Sequence, residues 1–381
     1  MNIIINTSTL SASGATQVAT SFITECRKFS ENSYHVFLSE TVAKQISVKD
    51  FPDNFSFYTF EGHPLYGAKG FRVRKQLQKL EAQILPDVVF SVFGPSWWKP
   101  KAPHVQGYAY PYYVYPESPI VDKLTFKEKL KLSLYKKLHL HFLNKDGNCF
   151  VSETQDVSER LQKLLPQKKN KFYAVGNTCS SNYYDFLKQP KHENQNILPI
   201  KKQGEFRFLS LCTYHLHKNL EILNKVIPRL NEICPHHQIK FVLTLDHENF
   251  YTKFTEEAKS SIINLGRIDV KNCPQLYSEC DALFLPTLLE CFSANYPEAM
   301  VMEKPILTSN LSFATTVCGD AAMYTDPLNE SEIAEKIIQL YQDSNLRKSL
   351  VERGKERLKD FPSAQQRAKA YLEICKIMSR L

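Results

Sequence analysis

Apolar residues recur along this chain in two rhythms. Short unbroken runs such as Ile3 to Ile5, Val88 to Phe90, Phe206 to Cys212 and Ala282 to Leu285 read as strands buried on both faces. Between them lie stretches with apolar positions three and four apart, the spacing of helices that cover a sheet. The first half reads as a strand from Met1, a helix from Ala15 to Lys28, strands at His35–Leu38 and Phe55–Phe60, a helix over Arg72–Ala82 and a strand from Val88. A strand at Asn148–Ser152, a helix at Gln155–Leu165 and a strand at Lys171–Val175 follow. A polar stretch from Lys188 then interrupts the pattern. Past Gly204 the alternation restarts with strands at Phe206, Ile239, Ile262, Ala282, Pro305 and Ala321, and helices at Leu220–Leu230, Cys273–Cys280, from Glu298, and at Ser331–Gln342.

Strands alternating with helices imply parallel sheets covered on both faces. The length of 381 residues suits two domains of ordinary size. The predicted class is therefore α/β, with two Rossmann-like doubly wound units facing a central cleft. Their expected bounds are 1–187 and 205–361, with a linker at 188–204 and a C-terminal helix in 362–381 placed to pack back on the first unit.

The net charge of +8 has a local source in Lys123–His141, where Phe126, Leu130, Leu134 and Leu138 recur every fourth position and Leu124, Leu132 and Leu140 widen the stripe. Such a segment is either an ordinary helix covering a sheet or one that attaches to an anionic membrane surface. Nucleic acid is not expected: Arg72–Lys79 adds basic charge, but no recognised nucleic-acid module accompanies it. The start of the chain reads as a strand, not as a secretory leader, and no apolar run is long enough to span a bilayer. Ten scattered cysteines with no metal-ligand spacing look like reduced thiols, so a cytoplasmic protein, at most at the inner face of a membrane, is expected without a bound metal or cofactor.

Chemistry concentrates near the C-terminal end, where Glu290 and Glu298 stand eight positions apart between a buried strand and a helix. In open α/β sheets ligands collect beyond the carboxyl ends of the strands, and a helix N-terminus there offers amides to phosphate. Two carboxylates beside such a cradle suit a ligand of sugar, diphosphate and ribose, since carboxylates accept hydrogen bonds from hydroxyls. A solvated Glu290 and a Glu298 favoured by the helix dipole are the plain alternatives. Lys218, at the turn after the Phe206 strand, falls in the same crevice as a counter-charge for diphosphate. His215 and His217 beside it have no acidic partner in sequence. The loop holding Gly14 and Thr16 is too poor in glycine for a dinucleotide fingerprint, yet small enough for close approach to a backbone. The tyrosine- and proline-rich stretch from Gln106, with Tyr108, serves either as an acceptor surface or as packing between lobes.

Taken together, these segments resemble the retaining glycosyltransferases of family 4, which have the GT-B architecture. The resemblance is strongest from Phe206 to Pro327. Glu290 and Glu298 match that family's paired-glutamate motif, which implies that Glu290 faces donor-sugar hydroxyls and Glu298 the ribose. Lys218 matches its diphosphate-binding lysine, and Gly14 falls in its N-terminal glycine loop; Gly319 and Asp326-Pro327 match further common positions. Three departures stand out: Cys291 and Ser293 replace glycines around Phe292, Thr213 occupies the place of a common arginine, and the acceptor-side histidine of the family has no clear counterpart, with Gln106 or Tyr108 near its place. The resemblance implies sugar transfer from a nucleoside diphosphate sugar to a glycan or lipid-linked acceptor in polysaccharide synthesis, with Lys218, Glu290 and the amides of Phe292, Ser293 and Ala294 at the donor, Thr16 and Tyr108 at the acceptor, and no metal. A catalytically weak binding or scaffold protein, or an epimerase or phosphorylase on the same architecture, stays open as an alternative.

Overall fold

The computed structural model describes residues 1–11, 13–166, 171–189 and 196–380. It divides into two compact units: unit 1 comprises Met1–Pro116, Leu124–Asn177 and Pro362–Leu381, and unit 2 comprises Glu117–Lys123 and Thr178–Phe361. Residues 117–123 and 178–187 group with unit 2 and not with the first unit, whereas 362–381 groups with unit 1. Of the expected linker, residues 190–195 lie outside the described residues, as does Ala12 of the small-residue loop.

Unit 1 holds a seven-stranded parallel sheet built from β1 (Asn2–Asn6), β2 (Ser33–Ser39), β3 (Phe55–Phe60), β4 (Val88–Ser91), β5 (His104–Tyr108), β6 (Cys149–Ser152) and β7 (Lys171–Ala174). Its order is β3-β2-β1-β4-β5-β6-β7. Ile3 and Ile5 face one core while Ile4 faces another, as the two-residue period of a strand requires. Phe22, Phe90 and Tyr371 meet edge to face or tilted at 5.1 to 5.3 Å, which fixes the C-terminal helix Ala364–Met378 on β4 and on helix Ser13–Cys26. Each of these rings contributes roughly 1.5–3 kcal/mol by burial.

β5 was not legible as a strand because it carries His104, Gln106 and Gly107 in a fully buried position. The structure accommodates each one separately. His104 Nδ1 lies 2.6 Å from the Asp146 carbonyl, which can only accept, so Nε2 is left to accept from Ser91 Oγ at 2.8 Å. Burial holds the His104 pKa down at about 4, so the imidazole stays neutral. At Gly107 a Cβ would sit 1.8 Å from the Val92 carbonyl oxygen, so only glycine fits.

Unit 2 holds a six-stranded parallel sheet of β8 (Phe206–Ser210), β9 (Ile239–Leu243), β10 (Ile262–Asn264), β11 (Ala282–Leu285), β12 (Ile306–Ser309) and β13 (Ala322–Thr325), in the order β10-β9-β8-β11-β12-β13. Phe208, Phe241 and Phe284 interlock at its centre with ring separations of 5.7 to 6.4 Å. The chain winds outward from β8 toward β10 and then returns to start β11 on the other side of β8. The crossovers on the two sides of that point cover opposite faces, which leaves a crevice beyond the carboxyl ends of β8 and β11. All ten cysteines are free thiols, and eight are buried.

Candidate functional site

Two loops enter the crevice of unit 2. The loop after β8 ends in a 3-10 turn, Leu216–Lys218, and the segment after β11 runs from Pro286 to helix Asn295–Val301. They are stitched together by backbone: the Leu288 and Thr287 groups both reach the His217 carbonyl, through N–H at 2.7 Å and Oγ1 at 3.1 Å. The result is an ion pair between Lys218 Nζ and Glu290 Oε1, with each side chain only 13% exposed. Thr287 Oγ1 lies 3.2 Å from the same carboxylate oxygen. Burial works against the Lys218 ammonium, but Glu290 outweighs it and raises the lysine pKa, so Lys218 stays charged. The neighbouring His217 is driven the other way by burial, to about 4, and is neutral.

Asn219 sets the direction of Lys218. Its backbone is left-handed (φ 55°), a conformation Asn tolerates better than most residues. Its side-chain amide donates to the Pro327 carbonyl at 2.8 Å and the Pro286 carbonyl at 3.3 Å, and its oxygen accepts from Lys123 Nζ at 3.0 Å. Ser118 Oγ donates to the Leu288 carbonyl at 2.6 Å. The segment 117–123 is thus a strap that braces both loops, and Lys123, expected within the basic membrane-type segment, is committed here instead.

Glu298 occupies a different environment. It sits on helix Asn295–Val301, whose Pro297 falls in the first turn where a missing N–H costs nothing. Tyr277 Oη donates to Glu298 Oε2 at 3.3 Å, and Tyr183 bonds to the same carboxyl. Burial raises the Glu298 pKa from 4.5 to about 7, with the two phenols pulling it partly back. The two glutamates are therefore unlike: one pairs with a lysine, and the other stands among tyrosines and takes up a proton near neutrality. Between them, the amide N–H groups of Phe292, Ser293 and Ala294 find no acceptor among the described residues. Ser293 is buried and Phe292 half-buried, its ring 6.3 Å from Phe361.

The structure thus assembles Lys218, Glu290, Glu298 and the 292–294 segment around one crevice, while Thr213 is exposed at its edge. Asn219, Ser118, Lys123, Thr287, Tyr183 and Tyr277 were missed in the sequence; only Asn219 carried a signal, as a residue tolerant of left-handed backbone next to Lys218. His215 and His217 stack as parallel rings at 5.3 Å and take no metal-site form. Among the described residues no group of three or more His, Cys, Asp or Glu could hold a metal ion. In unit 1, Gly14 is exposed and a Cβ there would meet nothing within 4 Å. Thr16 is fully buried with its hydroxyl accepting from Gln45 at 3.3 Å, and Tyr108 is 1% exposed with its hydroxyl donating to the Tyr110 carbonyl at 2.7 Å. Both residues expected at an acceptor surface therefore have their hydroxyls engaged inside unit 1.

Residues 191–357, the span that contains Lys218, Glu290 and Glu298, match the family described as Glycosyl transferases group 1. Over 97 residues the chain is 31% identical to the O-antigen chain mannosyltransferase B of Escherichia coli, a stretch that spans 26% of each chain. The chain thus matches about a quarter of that curated relative's length. A glycosyltransferase structure from Rickettsia africae superimposes with a TM-score of 0.73 at 15% identity, covering 99% of this chain and 98% of the other. The Anabaena protein HepE, solved in complex with UDP and glucose, superimposes with a TM-score of 0.69 at 14% identity, covering 99% and 100%. The chain has the GT-B fold, and its residues 191–357 are similar to the glycosyl transferases group 1 family.

Proposed function

We propose that this protein is a retaining glycosyltransferase of the family-4 type, moving a hexose from a nucleoside diphosphate sugar to a glycan or lipid-linked acceptor in polysaccharide synthesis, in the cytoplasm. The observation that carries the reading is the Lys218–Glu290 pair at the switch point of the unit 2 sheet, beside three amides that find no acceptor among the described residues. The group 1 family match over residues 191–357, the mannosyltransferase relative and the UDP and glucose of a structural neighbour support it.

In this reading the bond from the anomeric carbon to the diphosphate oxygen breaks as the acceptor hydroxyl bonds to that carbon on the same face. The acceptor proton leaves with the departing diphosphate. Lys218 and the 292–294 amides face the charge that develops on that diphosphate, where preorganised donors lower a barrier most. Glu290 accepts from sugar hydroxyls, giving up part of its hold on Lys218 as the phosphates arrive. Glu298 accepts from the ribose hydroxyls, with Tyr277 and Tyr183 fixing its rotamer. Charge stabilisation thus comes from this chain's own groups.

The test is product formation from purified protein with uridine, guanosine and adenosine diphosphate sugars and a glycan acceptor, for wild type and Glu290→Ala. Nucleoside diphosphate released only when acceptor is present, and lost in a folded variant, supports transfer. An isomerised nucleotide sugar formed without acceptor points to an epimerase, and a sugar phosphate formed with inorganic phosphate points to a phosphorylase. An unchanged product from Glu290→Ala overturns the assignment, and binding of a nucleotide sugar without turnover points to a binding protein.

A further inference from the structure

Helix Phe126–Asp146 of unit 1 carries apolar side chains on two opposite sides. Leu132, His139, Leu140 and Leu143 turn inward and are half-buried or buried, while Phe126 (81% exposed), Leu130 (53%), Leu134 (60%) and Leu138 (39%) line up every fourth position on the outer side. The single broad apolar face expected from the sequence is therefore split, and the half that faces solvent has no partner among the described residues. Solvent-facing apolar rows of this length mark interaction surfaces.

We propose that this outer stripe docks the protein onto an anionic lipid bilayer surface. Lys127, Lys129, Lys131 and Lys137 are exposed around the stripe. The one acid there, Glu128, is held by the Thr125 amide and hydroxyl at 2.8 Å, so its charge is used in capping the helix. Lysines reach past a shallowly inserted apolar row to headgroup phosphates, their stems lying along the hydrocarbon. Tyr135 (42% exposed) and Tyr110 (37%) bring rings of the kind that settle at a bilayer interface.

A second helix on the same side extends the surface. Val73 and Leu77 of helix Gly67–Ile84 pack on Ile4, Phe37 and Val89, one face of the sheet. Leu143 borders Gly94 together with Gln106, whose neighbour Val105 belongs to the core on the other face. Right-handed crossovers into β4 and β6 put both helices on that same face. The Gly67–Ile84 helix there exposes Phe71 (52%), Arg72, Lys75 and Lys79, with Tyr66 (68%) just before it. Charge decides between occupants. A second copy docked stripe to stripe would set eight like-charged lysines, four from each chain, against one another, whereas an anionic surface neutralises them. The proposal is independent of the reaction above.

The experiment is co-sedimentation of the full chain with phosphatidylcholine vesicles containing or lacking phosphatidylglycerol, at low and high salt. Wild type is compared with Leu130→Gln/Leu134→Gln and with Lys127→Gln/Lys131→Gln/Lys137→Gln. All these side chains are exposed, so folding should be intact, which circular dichroism and thermal melting check. Binding to the anionic vesicles that falls with salt, and falls about tenfold or more in each variant, is the expected result. Absence of binding at low salt, or binding by the leucine variant equal to wild type, overturns the proposal. So does a wild-type dimer in sedimentation velocity that the leucine change converts to monomer, which would make the stripe an interface between copies.

Discussion

Lys218 Nζ and Glu290 Oε1 are bonded to one another although 72 positions separate them in the chain. One arrives at the end of β8 and the other at the end of β11, so the pair exists only because those strands are neighbours. Each group is mostly buried, and either one alone would be an uncompensated charge. Lys218→Ala is expected to cost about 1–3 kcal/mol, and Lys218→Ala/Glu290→Ala less than the two single changes added together. Urea denaturation of the four proteins gives the coupling; strict additivity would mean that the pair contributes nothing to stability. In turnover each single change is expected to lower kcat by about 10²–10³.

Asn219 combines a left-handed backbone with two side-chain bonds across the site, and the two roles can be separated. Asn219→Gly keeps the backbone and loses the bonds; Asn219→Ala loses both. Glycine should cost about 1–2 kcal/mol and alanine about 1 kcal/mol more. Both should lower kcat, because the Lys218 turn is no longer held to Pro286 and Pro327. Equal melting temperatures for the two variants would show that the backbone conformation carries no strain.

The raised pKa of Glu298 makes a signed prediction. A carboxyl that moves from 4.5 in the unfolded chain to about 7 when folded holds its proton more tightly in the folded state. Its contribution to stability is therefore greatest below 4.5, declines as pH rises toward 7 and is constant above that. Glu298→Gln removes the decline, so its melting temperature should gain on wild type between about pH 5 and about pH 8. His217 runs the opposite way, losing its contribution as pH falls from 6.5 toward 4, but it is common to both proteins and cancels in the difference. A difference that stays flat across this range would refute the burial that holds the Glu298 pKa up.

Arg367 anchors the C-terminal helix to unit 1. It is 2% exposed, and its guanidinium donates to Asn177 Oδ1 and, at 2.8 Å, to Ser21 Oγ. Arg367→Ala is expected to destabilise by about 2–4 kcal/mol, and Arg367→Lys to restore little, since a single ammonium cannot span both acceptors. Thermal denaturation followed through unit 1 checks this; full rescue by lysine would show that charge alone is needed.

Much of the site could be read in the sequence because its parts are local. Glu290 and Glu298 lie on one strand-loop-helix segment, and Lys218 lies at the next loop that a βα order brings to the same edge. Tyr183 could not be read, because helix Ser181–Lys188 has mixed polarity and reaches Glu298 only through tertiary packing. Ser118 and Lys123 were hidden for a stronger reason: nothing local marks 117–123 as part of unit 2. β5 was hidden by its buried polar residues, whose partners Ser91 and Asp146 are remote in the chain.

Hydrophobic period and right-handed connection act between near neighbours, so the order of residues was enough to set most strands and helices, their parallel pairing and the side of the sheet on which ligand groups gather. Which charges meet, which glutamate takes a proton, and which side of the Phe126–Asp146 helix stays in water were settled only by packing in three dimensions. Those outcomes depend on burial and on partners far along the chain, and a residue's desolvation is a property of everything packed around it.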